Sequence, residues 1–235
     1  VTCCGALAIT AAGCESTEQE SSRIGREGER QAAASSGIVL GAPNHSVSVT
    51  QVTVVHGGGR AAVAARISSD AAYAQSALPL LLSVEGKAGR QLYSNAIPGL
   101  DPSLQHLGRL GARSATWWVD DQVLTSEAPS SVSLKVGSGR RASANAGALT
   151  AAGVRLAGSG AGETVAGEIV SGGGRMRRRV AVFAVALKNG RVVAAGRTIV
   201  RSLAGRSGAR VPFSALLVGS AAGAKLEVDA VPSAG

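Results

Sequence analysis

The sequence predicts an all-β protein: two β-sandwich domains in tandem, at residues 44–138 and 147–235, behind an amino-terminal segment that does not fold with them. Three observations predict it. From His45 onward, runs of Val, Leu and Ile alternate with polar residues and recur about every ten residues, with Gly-rich punctuation between them. Sustained helical periodicity is absent, and only residues 103–110 read as a short helical turn. The chain also repeats itself. Residues 52–67, VTVVHGGGRAAVAARI, lie without a gap over residues 154–169, VRLAGSGAGETVAGEI. Val54 then matches Leu156, Gly58 matches Gly160, Val63 matches Val165 and Ile67 matches Ile169. Each copy reads as strand, Gly-rich turn, strand.

The repeat continues one residue later in register. Residues 78–92, LPLLLSVEGKAGRQL, lie over residues 179–193, RVAVFAVALKNGRVV: an apolar strand, a turn (86–89; 188–190) and a return strand. Each copy closes on an alternating strand, with Val132, Leu134 and Val136 in the first and Leu226, Val228 and Ala230 in the second. Residues 139–146 read as the linker. Many short strands joined by hairpins favour an immunoglobulin-like sandwich, with a small barrel as the alternative. Aromatic residues are 3% of the 235-residue chain, so the cores must be built from Ala, Val and Leu.

The amino terminus reads as an address. Residues 1–13, VTCCGALAITAAG, are uncharged and mostly small or apolar, like the end of a secretory signal peptide whose start lies upstream of Val1. Ala11, Ala12, Gly13 and Cys14 resemble a bacterial lipobox, with Ala11 where Leu is usual. The resemblance implies lipidation of Cys14 and attachment to the extracytoplasmic side of the cell membrane, where two or more acyl chains hold a protein durably. Plain secretion is the alternative. Residues 14–43 then form a polar tether, rich in Glu, Ser and Arg and too poor in apolar groups to order itself. All three cysteines, Cys3, Cys4 and Cys14, precede the folded part, so no disulfide framework or Cys-based zinc site is expected in it. No apolar run reaches the roughly 20 residues of a membrane-spanning helix.

Residues 182–196, VFAVALKNGRVVAAG, are similar to the strand–turn–strand of FxLYD-type domains, with Leu187 kept and Lys188 and Asn189 in place of Tyr-Asp. These are small immunoglobulin-like modules of bacterial surface lipoproteins. The resemblance implies fold and cell-surface context and carries over no catalytic residue.

Chemistry is sparse. His45, His56 and His106 lack metal-ligand spacing and read as exposed loop residues. Asp120 and Asp121 follow Trp117 and Trp118 and read as the turn ending that strand; a weak divalent-ion site with Asp101 is the alternative. No nucleophile elbow occurs. GSGAGE at 158–163 lacks the Lys-Ser/Thr of a P-loop and reads as a hairpin turn. Trp117 and Trp118 project to opposite faces of a strand, one into the first core and the other either exposed or packed against the second domain. No catalytic, metal or cofactor site is expected.

Charge is the distinctive feature. The formal net charge is +9, and residues 147–235 hold 12 basic against 4 acidic groups. Arg175, Arg177, Arg178 and Arg179 form a run with no counterpart in the first copy. They are the candidate anion-binding residues, with Arg140, Arg141, Arg191, Arg197 and Arg201 as candidate neighbours. The expected partner is an anionic envelope component or an acidic protein, not nucleic acid, because aromatic interleaving is missing. The competing expectations are a solvated loop guarding a sheet edge and an assembly subunit of an envelope complex with no ligand site.

Overall fold

The computed structural model describes residues 38–125, 127–143, 147–158 and 162–233. The expected signal segment, Cys14 and most of the expected tether lie outside the described residues, as do residues 144–146 and 159–161. What is described is an all-β sandwich fold built from antiparallel sheets. The first half holds β1 (Val47–Gly57), β2 (Arg60–Ser69), β3 (Gln75–Glu85), β4 (Gln91–Ser94), a one-turn helix α1 (Pro102–Gln105), β5 (His106–Leu110), β6 (Ala115–Val123) and β7 (Ser131–Val136). A short β8 (Arg140–Arg141) follows. The second half holds β9 (Leu149–Ala157), β10 (Thr164–Ser171), β11 (Arg177–Lys188), β12 (Arg191–Leu203), β13 (Arg210–Leu216), β14 (Val218–Gly219) and β15 (Lys225–Pro232).

The hairpins form where the turn chemistry allows. Two-residue turns that match strand twist need left-handed φ at both central positions. Gly58 and Gly59 supply it between β1 and β2, and Asn189 (φ 52°) with Gly190 (φ 76°) supplies it between β11 and β12.

Each half is two sheets. In the first, β1-β2-β6 faces a sheet centred on β3, which pairs with β4, β5, β7 and β8. In the second, β9-β10-β13 faces β14-β12-β11-β15. The sequence repeat extends to the hydrogen-bond register. Val54 opposes Val63 as Leu156 opposes Val165, and Val49 opposes Ile67 as Ala151 opposes Ile169. Trp118 lies opposite Ala65 as Phe213 lies opposite Gly167. Even a bulge is repeated: Leu92 and Val193 are the extra residues where β4 and β12 pair with β3 and β11, and Ala77 (φ 51°) and Arg179 (φ 57°) are matching left-handed residues skipped by pairing without a change of register.

One expected register is corrected. The counterparts of Leu80, Leu82 and Val84 are Val182, Ala184 and Ala186, one residue further along than the sequence comparison placed them. Both sets face their own half's core and oppose the closing strand residues Val136, Leu134, Val132 and Ala230, Val228, Leu226. The missing step is in the turn, which is longer in the first half and contains a 3-10 turn at Lys87–Gly89.

Burial shows how the sheets stack. In the outer strand β10 every second residue is buried, as expected when one face is solvated. The inner strands are buried on both faces: residues 61–65 of β2 and 180–186 of β11 are all below a few per cent exposure. Val182, Ala184 and Ala186 fill the second half's core, while Ala181, Phe183 and Val185 join the core of the first. That cluster therefore draws on both halves. Small residues let the inner backbones approach. A Cβ on Gly57 of β1 would lie 2.6 Å from the Gly219 nitrogen of β14, well inside contact distance.

Candidate functional site

The polar residues divide between the seam of the two halves, a basic end and a groove. At the seam, Trp118 is fully buried and its indole N–H donates to the Ser103 carbonyl at 2.8 Å. Trp117 faces the second half. Its indole N–H donates to Glu227 at 2.9 Å, its backbone N–H donates to Asp229 at 2.6 Å, and Arg66 lies 5.2 Å over its ring.

Asp120 and Asp121 are not in a turn: β6 runs on through both. The strand continues because each carboxylate finds a partner. Asp120 is fully buried, and accepts from the Tyr93 hydroxyl at 2.8 Å and the Gln122 N–H at 3.0 Å. Burial pushes its carboxyl up to about 6 against those two hydrogen bonds, and Asp121 adds repulsion. Burial and Asp120 together raise the Tyr93 phenol, which stays protonated and donates. Asp121 instead meets the Arg197 guanidinium at 3.5 Å. Asp101 does not join this pair. It caps α1, accepting from the Ser103 N–H at 2.9 Å, and meets Arg197 at 3.4 Å and Arg179. Burial works against its ionisation, but Ser103, Arg197 and Arg179 outweigh it and hold the carboxyl low. His106 is not in a loop either: it heads β5, half-buried, where burial lowers its imidazole.

The structure splits the arginine run. Arg177 is buried, and its guanidinium donates to the Gly147 and Gly173 carbonyls. Burial and the nearby Arg109 both disfavour its charge. Arg179 is ion-paired with Asp101 across the seam. Arg175 and Arg178 remain exposed. Of the suggested neighbours, Arg197 is buried at the seam and Arg191 sits at the far end of the β11–β12 hairpin. Arg140 and Arg141 pair with β3, with Arg141 lying 4.7 Å over the Tyr73 ring. The residue the pattern missed is Arg206. Its loop abuts the arginine run, since a Cβ on Gly205 would strike the backbone of Gly174, Arg175 and Met176. Arg175, Arg178, Arg201 and Arg206 are thus exposed on adjoining segments, with no ion-pair partner among the described residues. Only tertiary structure brings 206 beside 175.

The groove lies in the first half, between β4 and the end of β6, with a volume of about 690 Å³. All four residues of β4 line it, as do Asp121, Gln122, Val123 and Leu124, together with Ile97, Leu100 and the exposed Arg60. Leu124 is 82% exposed and Ile97 43%. In the second half this space is closed. Val123 and Leu217 are both buried in their own half's core, so Leu124 corresponds to Val218. Tyr93 opposes Val84 as Ala194 opposes Ala186, so Tyr93 and Ser94 correspond to Ala194 and Ala195. Val218 and Gly219 pair with Ala195 and Ala194. Their first-half counterparts make no such pair among the described residues.

The next residue explains the difference. Gly196 lies where a Cβ would overlap the Leu216 carbonyl, so only glycine lets the β13–β14 corner close. Its counterpart is Asn95, fully buried. The Asn95 side chain accepts from the Leu82 N–H at 2.8 Å and donates to the Leu80 and Leu104 carbonyls at 2.9 and 2.6 Å. It thereby takes over the strand's pairing and sends residues 96–105 out of the sheet.

No family model matches the chain, and no curated protein matches it.

Proposed function

We propose that the chain is a non-catalytic lipoprotein of the bacterial cell surface, anchored by acylated Cys14, whose tandem immunoglobulin-like, FxLYD-type domains present a basic end to an anionic envelope component. The supporting observation is the group Arg175, Arg178, Arg201 and Arg206, exposed on adjoining segments without carboxylate partners among the described residues. Cations so placed attract phosphate-bearing surfaces at about 1 kcal/mol each near an anionic membrane, and salt screens them. An acidic protein surface offers the same chemistry. Arg177 and Arg179 support the loop: one holds its backbone, the other ties it to Asp101.

The test is binding of the full chain to anionic and to neutral phospholipid vesicles. Charge reversal at Arg175, Arg178 and Arg206 together lowers affinity for anionic vesicles by about a hundredfold or more, and the wild-type affinity falls steeply from low to physiological salt. Unchanged binding contradicts the proposal. Mass spectrometry of the cell-derived protein checks the anchor separately: an acylated amino terminus at Cys14 is expected, and Cys14→Ala leaves the membrane fraction.

A further inference from the structure

We infer that the groove beside β4 is an open strand seat, which takes one extended segment of a partner protein along the free edge of Tyr93 and Ser94. The seat is distinct from the basic end and does not depend on it. Its shape speaks for a strand. Side chains on a strand alternate between faces, so four consecutive lining residues on each wall mean that the backbone edges themselves border the groove. Among the described residues β4 pairs only with β3, and β6 only with β2. The outer edge of β4 leaves backbone groups that an extended peptide satisfies, whereas on the β6 wall the Gln122 N–H is already taken by Asp120.

The second half shows the occupied form of the same seat. There Val218 and Gly219 of β14 pair along the counterpart of β4, and Val218 is buried to 2% exposure. The occupant of the first half's seat carries an apolar side chain at its centre, matching Leu92, Ile97, Leu100 and Leu124 of the lining. It also carries an acidic residue at one end. Arg60 stands exposed in the lining without an ion-pair partner among the described residues, while Asp121 is already matched by Arg197. A second copy of this chain does not lend β14 to the seat without opening its own sandwich.

The experiment uses the full chain, isotopically labelled, and a peptide copying residues 216–220 with a glutamate added at each end. The expected result is saturable binding, with amide shifts confined to residues 91–97 and 121–124 and slowed hydrogen exchange in β4. Leu124→Glu weakens binding by about tenfold or more; because Leu124 is exposed, the rest of its spectrum stays unchanged. A peptide with proline at the positions copying Val218 and Gly219 does not bind, since proline lacks the pairing N–H. Equal binding of the proline peptide overturns the inference, because the groove is then an apolar patch that pairs no strand. Failure of the first peptide to perturb either wall also overturns it. So does concentration-dependent dimerisation through the same amides, which makes a second copy the occupant.

Discussion

The two halves share a register and a bulge, yet differ at one sheet edge. In the second half the chain leaving β13 crosses to β12 and zips it shut. In the first half the equivalent chain passes β4 and leaves a groove. The difference comes down to Gly196 against Asn95, and to the detour of residues 96–105 that the Asn95 amide holds in place. A sandwich can thus be opened at one corner with its core left whole. The contrast in charge follows a similar logic: the left-handed residue at this point of the strand is Ala77 in one copy and Arg179 in the other, and the arginine is used to tie the halves together.

The comparison can be broken or sharpened by substitution. The largest effects are expected at its most closely matched pair. Trp118→Ala and Phe213→Ala each cost about 3–5 kcal/mol. Because one core cluster draws on both halves, denaturant unfolding shows a single transition that both variants lower; two separate transitions would uncouple the halves. Asn95→Ala comes next. It leaves the Leu82 N–H and the Leu80 and Leu104 carbonyls unpaired, at about 3 kcal/mol or more. The closing counterpart, Gly196→Ala, costs about 1–3 kcal/mol by overpacking against Leu216.

Asp120 gives a pH signature that the second half lacks, since Ala215 stands in its place opposite Val165 as Asp120 stands opposite Val63. Its folded carboxyl is raised to about 6, above the unfolded range, so the folded state holds the proton more tightly. Stability is therefore greatest, for this group, at low pH and falls as pH rises from about 4 to about 6, by up to about 3 kcal/mol. Asp101 has the opposite slope, its contribution being lost as pH falls below the ordinary carboxylate range. Comparing wild type with Asp120→Asn across this window isolates the first effect, and the variant loses the decline. The smallest change is at the basic end, where Arg175→Glu and Arg178→Glu alter stability by less than about 0.5 kcal/mol in thermal melts.

Much of the fold was legible because alternation and turn chemistry are local. The β1–β2 and β9–β10 hairpins, the closing strands β7 and β15, and the opposed faces of Trp117 and Trp118 all follow from period-two patterning. The uninterrupted apolar run of β11 also carried a legible sign, since continuous burial marks an inner strand. What the sequence hid depends on tertiary pairing. Arg177 reads like its neighbours until the Gly147 and Gly173 carbonyls are placed around it. Asp120 reads as a turn residue until Tyr93 reaches it from another sheet. The groove is a pairing that does not form, and its local signs are only Asn95 where the repeat has Gly196 and extra chain before β5.

The central claim is that one copy of the sandwich edge is zipped and the other is not. Residue-resolved amide hydrogen exchange of the unliganded full chain tests it most directly. The account predicts protection at Ala194 and Ala195, and at the one of Val218 and Gly219 whose N–H faces β12. Of the adjacent Tyr93 and Ser94 amides, one is protected by β3 and the other exchanges fast, as does Leu124. Equal protection of both sets, with Tyr93, Ser94 and Leu124 as slow as their second-half counterparts, contradicts it.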